Sequence, residues 1–309
     1  MGRNLKYDII RSGSALFVVF YHYTYRYFEI FTENSPYTMF QYGYLGVPIF
    51  FILSGFLISK SLENETSLKI YMMKRFLRIY PTYIICMILT FIVTKYFFIT
   101  ERTVSNLDFV LNFFVISDYI GGHYVDSAYW SLAIEVLFYI IAPVLVSKKY
   151  LFPVLIFISF SNIYLSQYIF NVITLFNWIN FFFLGYLFYS KCIKYKFIFY
   201  VLVFYNIYVY FGIPHLIISI LSIILFNLNM NVSLPIYVVK VIQFSAAVSF
   251  PLYLLHQNIG YFLIHEIYKI SSMSSHLVII LVVFISYFLS YLIHITVEKK
   301  FSYKILYGK

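Results

Sequence analysis

The chain has 309 residues, of which 62% are hydrophobic and only 11% charged, with a mean hydropathy of +0.84 and a net charge of +10. A water-soluble globule cannot bury so large an apolar share, and apolar runs of bilayer length recur from end to end, so soluble folds are excluded. The runs do not alternate as barrel strands do, and the basic charge follows membrane topology, so neither an outer-membrane barrel nor a nucleic-acid partner is expected.

Ten segments are predicted to span: 9–28, 43–62, 79–98, 129–147, 150–168, 174–190, 197–211, 213–228, 241–264 and 277–297. The fold class is therefore an all-α polytopic membrane protein of about ten transmembrane helices, read as one domain over 1–309. The two short segments 197–211 and 213–228 are separated only by the turn Gly212–Pro214, and 107–117 is too short to cross, so it is re-entrant or interfacial. With both termini cytoplasmic, 18 of the 22 Lys and Arg fall inside, leaving Arg26, Lys95, Arg102 and Lys269 outside. The first apolar run carries Arg11 and His22 and no A-x-A pattern, so it reads as a retained helix. Cys86 and Cys192 do not make a disulfide framework, and no metal site is expected.

The first helix places Arg11 and His22 eleven residues apart. On an α-helix they share one face and lie ~16 Å apart along the axis. Arg11 sits near the inner surface, where snorkelling is the plain reading. His22 lies well up the helix, as a packing histidine or a proton carrier near neutral pH. The second run, "GYLGVPIFFILSGFLISKS", contains Gly46, Ser54 and Gly55, which remove bulk so that another helix or a slender ligand can approach closely. Before the third span, "YMMKRFLRIYP" puts Arg75 and Arg78 on one helical face beside Lys74. That set suits phosphate as well as ordinary headgroup contacts.

The long outer stretch 99–128 either links and shields helices or helps to bind an external ligand. The fourth span opens "YWSLAIEVLFY", with Trp130 in the interfacial belt and Glu135 ~8 Å deeper, near the depth of His22. A carboxylate beside an imidazole would fix its tautomer and stabilise the imidazolium, and a structural ion pair is the alternative. The ninth span carries "SFPLYLLHQ", in which Pro251 weakens the local helix. There Tyr253 and His256 either hydrogen-bond between helices or support the acceptor side.

Taken together, Arg11-x10-His22, "GYLGVPIFFILSGFLIS", Arg75-x-x-Arg78 followed by "IYP", "WSLAIEVLFY" and "SFPLYLLHQ" resemble the bacterial membrane acyltransferase-3 family of glycan O-acyltransferases. Each motif is weak alone, and their order along the chain makes the resemblance specific. The resemblance implies a multi-pass protein of the bacterial inner membrane that moves an acyl group, acetyl by default, from cytoplasmic acyl-CoA to an exported glycan such as O-antigen or capsule. It gives His22, Glu135 and Arg11 catalytic roles, and makes Arg75 and Arg78 a donor-site pair, joined by Lys74, Ser54 and Gly55. Trp130, Tyr253 and His256 are assigned to the acceptor side or to support. Two features depart from the pattern: no extracytoplasmic hydrolase-like domain is evident, and Glu298 is followed by Lys299-Lys300 without the usual proline, which leaves it without a role. A secondary transporter with buried His and Glu, or a non-catalytic envelope scaffold, are the competing readings.

Overall fold

A computed structural model describes residues 4–32, 37–65, 67–98, 102–146, 154, 170–190, 196–228 and 234–301. The expected fifth span, 150–168, and Cys192 lie outside these residues. Among the described residues all regular structure is helical, and Cys86 is buried as a free thiol. Six helices among the described residues are long and apolar enough to cross a membrane: Gly43–Glu63, Leu68–Phe97, Ser127–Leu145, Lys196–Asn227, Ile236–Leu255 and Ser275–Glu298. The protein is a multi-pass, all-α membrane protein.

The elements are α1 (Leu5–Phe20), a π-helical stretch (Tyr21–Arg26), α2 (Tyr27–Phe31), α3 (Gly46–Glu63), α4 (Leu68–Ile92) and α5 (Asn106–Leu111). They continue as α6 (Trp130–Val146), α7 (Phe170–Tyr189), α8 (Lys196–Asn227), α9 (Ile236–Leu255), α10 (Asn258–Ile270) and α11 (Ser275–Ile293), with a second π stretch over His294–Glu298. The first predicted span is thus one continuous helical run that widens to π geometry at the level of His22. Single π turns inside α-helices concentrate at functional sites. Gly212 has φ 74°, a left-handed value that ends the helical path, so α8 is two segments that meet where the sequence places its turn.

One prediction is corrected. The ninth span was expected to run unbroken over 241–264, whereas the helix stops at Leu255 and restarts at Asn258. Side chains replace the helix ladder at the break. The Tyr253 carbonyl accepts from His256 Nδ1 at 2.7 Å, the Leu254 carbonyl from the Tyr129 hydroxyl at 3.2 Å, and the Asn258 N–H donates to Asp126 at 2.9 Å. A backbone opened in an apolar surrounding needs such partners, and three separate side chains supply them.

The chain divides into two compact units: residues 1–46, 74–132 and 233–309, and residues 47–73 and 133–232. In the first, α1 packs along α9, and α9 along α11. A Cβ on Gly46 would press on the Ser14 carbonyl and Val18, so glycine lets the start of α3 lie against α1. In the second, α3 and α7 cross backbone to backbone. A Cβ on Gly55 would overlap the Phe182 carbonyl, and one on Gly185 the Ile52 carbonyl. Close helix packing is therefore what the glycine of the Ser54-Gly55 step does.

Candidate active site

Four helices of the first unit tie two levels together. At one level Arg11 of α1, Arg78 of α4 and Glu298 beyond α11 line a cavity of about 260 Å³ whose wall is Ala246, Ala247, Ser249 and Phe250 of α9. At the other level His22 meets the end of α9, where the His22 and His256 rings stand edge to face with centroids 4.8 Å apart. Three further contacts belong to this second level. The Tyr23 hydroxyl bonds Ser286 of α11 at 2.8 Å, Tyr129 bonds Thr90 of α4, and Gly260 of α10 lies so close to the Tyr23 ring that a Cβ there would overlap it. Between the two levels α1 advances eleven residues, α4 and α11 twelve each. That is ~16–18 Å of helix in each case.

The small residues of the α9 wall explain the cavity. Ala246, Ala247 and Ser249 withdraw bulk over one turn, and Pro251 cannot donate to the Ala247 carbonyl on that wall. Glu298 joins the cavity although its sequence motif is incomplete, and its carboxylate is also held by His294 Nδ1 at 2.6 Å. Arg75 and Lys74 stand on the same stretch of α4 as Arg78, outside this lining.

At the imidazole level, His22 Nδ1 pairs with the Tyr261 hydroxyl at 2.8 Å, and His22 remains partly exposed. When Nδ1 carries the proton and donates to Tyr261, Nε2 is the basic nitrogen. Tyr261 is itself fully buried, and the Arg102 guanidinium lies 5.3 Å from its ring centroid. That guanidinium also donates to Asn258 Oδ1 at 2.8 Å and to the Ser127 hydroxyl at 2.7 Å, while Ser127 donates to Gln257. Asp126, just ahead of α6, is wholly buried. Burial raises its carboxyl above the usual range, against the N–H groups of Ala128 and Asn258 and the charge of Arg102. Two sequence motifs meet at this level as well: Ser131 of the Trp-Ser-Leu motif and Tyr253 share a hydrogen bond of 2.6 Å, and Trp130 begins the same helix.

Glu135 belongs to the second unit. There Ser54 donates to its Oε1 at 2.7 Å and Tyr139 at 2.6 Å, so two sequence-predicted residues, Ser54 and Glu135, form one pair. Sequence reasoning missed Tyr261, Arg102, Gln257 and Asn258. All four are polar groups close to the helix break, where the apolar pattern alone implies a continuous span.

Comparison with known proteins decides the family. The model of the acyltransferase domain family, Acyl_transf_3, matches residues 4–295. The chain belongs to the acyltransferase-3 family. Similar proteins include ORF330 of Acidianus two-tailed virus, 31% identical over 137 residues, 44% of this chain and 39% of the relative. An "O-acetyl transferase" of Shigella phage Sf6 is 30% identical over 182 residues, 51% of this chain and 52% of the relative. The "Peptidoglycan O-acetyltransferase OatA" of Listeria monocytogenes is 36% identical over 121 residues, 33% of this chain and 19% of the relative. The chain thus spans about half or less of the length of these relatives. No solved structure matches it. For an acyltransferase-3 domain, the two levels of the first unit carry the motifs that the sequence singled out: Arg11 and Arg78 below, His22 and His256 above.

Proposed function

We propose that this acyltransferase-3 protein is a membrane O-acyltransferase that passes an acyl group, acetyl in the first instance, from acyl-CoA to a hydroxyl of an exported glycan. The observation that carries the reading is the pair of levels along α1 and α9, with guanidinium groups around a cavity at one end and a partly exposed imidazole at the other. A coenzyme A thioester has the matching shape, with phosphates for the arginines and a thin arm ending in the thioester. Arg75 and Lys74 add positive charge along the approach.

His22 Nε2 takes the proton of the acceptor hydroxyl as its oxygen attacks the thioester carbonyl. The C–S bond then breaks, and the coenzyme A thiolate leaves and recovers the proton from the imidazolium. In the tautomer that this needs, Nδ1–H donates to the Tyr261 hydroxyl. Glu135 is the acid of the family's Trp-Ser-Leu-x-x-Glu motif, and within the second unit Ser54 and Tyr139 fix its carboxylate. The O-acetyl transfer named for the phage and Listeria relatives supports the reaction class, and the Listeria name supports a glycan acceptor. The 18-to-4 charge split supports donor entry from the cytoplasm across a bacterial inner membrane.

Mass spectrometry of surface glycans from a deletion strain, complemented with wild-type or His22→Ala protein, tests the proposal. We expect deletion to remove one acyl mass increment, wild type to restore it, and His22→Ala to accumulate in the membrane yet leave transfer down by about 10²–10⁴-fold. Near-normal acylation by His22→Ala removes the base assignment, and an unchanged glycan in the deletion strain removes the glycan acceptor.

A further inference from the structure

His256 is fully buried, and its Nε2 has no hydrogen-bond partner among the described residues. The tautomer is set by geometry: Nδ1 lies 2.7 Å from the Tyr253 carbonyl, which can only accept, so Nδ1 carries the proton and Nε2 is a bare acceptor. Burying an acceptor without a donor is costly, and such groups persist where something else supplies the hydrogen. The break between Leu255 and Asn258 holds this ring in place, and its neighbour across the break is His22, 4.8 Å away between ring centroids. One level therefore presents two basic imidazole nitrogens, only one of which the attacked hydroxyl can use.

We propose that His256 is a second substrate-binding residue of this site, whose Nε2 accepts a hydrogen bond from an acceptor hydroxyl adjacent to the one acylated. The inference rests on the acyl-transfer reading and deepens it: the acceptor class is a polyol with neighbouring hydroxyls, such as a sugar ring, and His256 selects which of them faces His22. A lone alcohol satisfies one nitrogen and leaves the other unpaired. A pair of adjacent hydroxyls satisfies both.

Two variants separate this role from a structural one. In His256→Asn the amide can replace Nδ1 at the Tyr253 carbonyl but does not extend to the Nε2 position. In His256→Gln it extends to the Nε2 position. Steady-state kinetics on purified full-length protein would use acetyl-CoA as donor and, as acceptor, the base-treated surface polysaccharide of the cell that carries the protein. Loss of one hydrogen bond predicts an acceptor KM raised about 10-fold in His256→Asn, with the donor KM unchanged and His256→Gln within about 3-fold of wild type. The reverse order of the two variants, equal losses in both, or a change in the donor KM instead, would overturn the proposal.

Should the variants not fold or acetyl-CoA not turn over, wild-type protein labelled with 15N-histidine decides by NMR, in which a bare Nε2 acceptor and one that accepts a hydrogen bond resonate apart. The His256 Nε2 signal should sit at the bare position without polysaccharide and move to the hydrogen-bonded position with it. A signal that polysaccharide leaves unmoved, or one already at the hydrogen-bonded position without it, refutes the role. The two readings fail separately. Transfer retained by His22→Ala removes the base, whereas the Asn and Gln contrast needs only that transfer or binding occurs.

Discussion

The two ends of the α1–α9 seam are built from opposite materials. At the cavity, formal charges from three helices, Arg11, Arg78 and Glu298, gather around small side chains of α9. At the imidazole end, hydrogen bonds and ring contacts carry the centre: His22, Tyr261, His256, Tyr253 and Ser131 are joined by hydrogen bonds of 2.6–2.8 Å or by ring contact, with Arg102 and Asp126 held by other partners behind them. The difference teaches what each end is fitted to do. Charges that hold a polyanion need an open, solvated setting, since sealing them in a low dielectric costs more than pairing returns. A base that must take and return a proton needs a fixed tautomer, with nearby charges tied to other partners.

The sharpest way to break this comparison is at the charged end. Arg78→Ala should raise the KM for acetyl-CoA about 10–100-fold, the worth of a charge-assisted hydrogen bond or two, while kcat stays within about 3-fold. The affinity of wild type should fall with added salt, and that of Arg78→Ala should fall less. A fall in kcat at unchanged donor KM would move Arg78 from binding to chemistry and erase the division between the ends.

At the imidazole end, Tyr261→Phe removes a single oxygen from His22 Nδ1. A positioning residue should change turnover and not binding: kcat should fall about 10-fold with both KM values unchanged, because the unproductive tautomer gains population. The structural alternative makes a different pattern, with reduced thermal stability and unchanged kcat in the protein that survives purification. That pattern would remove Tyr261 from the mechanism.

How much of this was legible in the sequence differs between the same two ends. Arg11, Arg78 and His22 could be placed from helical periodicity, because charged or basic residues in apolar runs stand out and a helix converts spacing directly into position. The turn at Gly212–Pro214 was legible for the same local reason. The break at His256–Gln257 was not. It is imposed by Tyr129 and Asp126, each more than a hundred residues away along the chain, and no local signal separates it from a proline-weakened span. Tyr261 was invisible because this sequence holds 34 tyrosines and only its contact with His22 distinguishes it. Glu298 was hidden by a motif that lacks its proline, and shared lining with Arg11 and Arg78 is what recovers it.

The smallest expected effect concerns the loop chain that leads to the imidazole end. Ser105 and Asp108 form a reciprocal cap on α5, and Asp108 also accepts from the His123 backbone at 2.8 Å, closing the loop onto itself. Partial burial pushes the Asp108 carboxyl upward, but the Ser105 hydroxyl and the N–H groups of His123 and Ser105 outweigh it and hold the carboxyl below its usual range. A depressed folded value means that the carboxylate stabilises the loop above the ordinary aspartate value of about 3.9, and that this contribution is lost as pH falls through the lower folded value. Hydrogen exchange over 105–124 should therefore quicken on acidification from about pH 5 to about pH 3 in wild type. Asp108→Asn should show the quicker exchange already at pH 5, by an amount worth about 0.5–1 kcal/mol, and little further change below it. The cavity end holds its own carboxylate, Glu298, and its acid response should be the same in wild type and Asp108→Asn. A cavity-end response that Asp108→Asn changes as much as the loop's would mean that Asp108 holds the whole unit and not the loop separately.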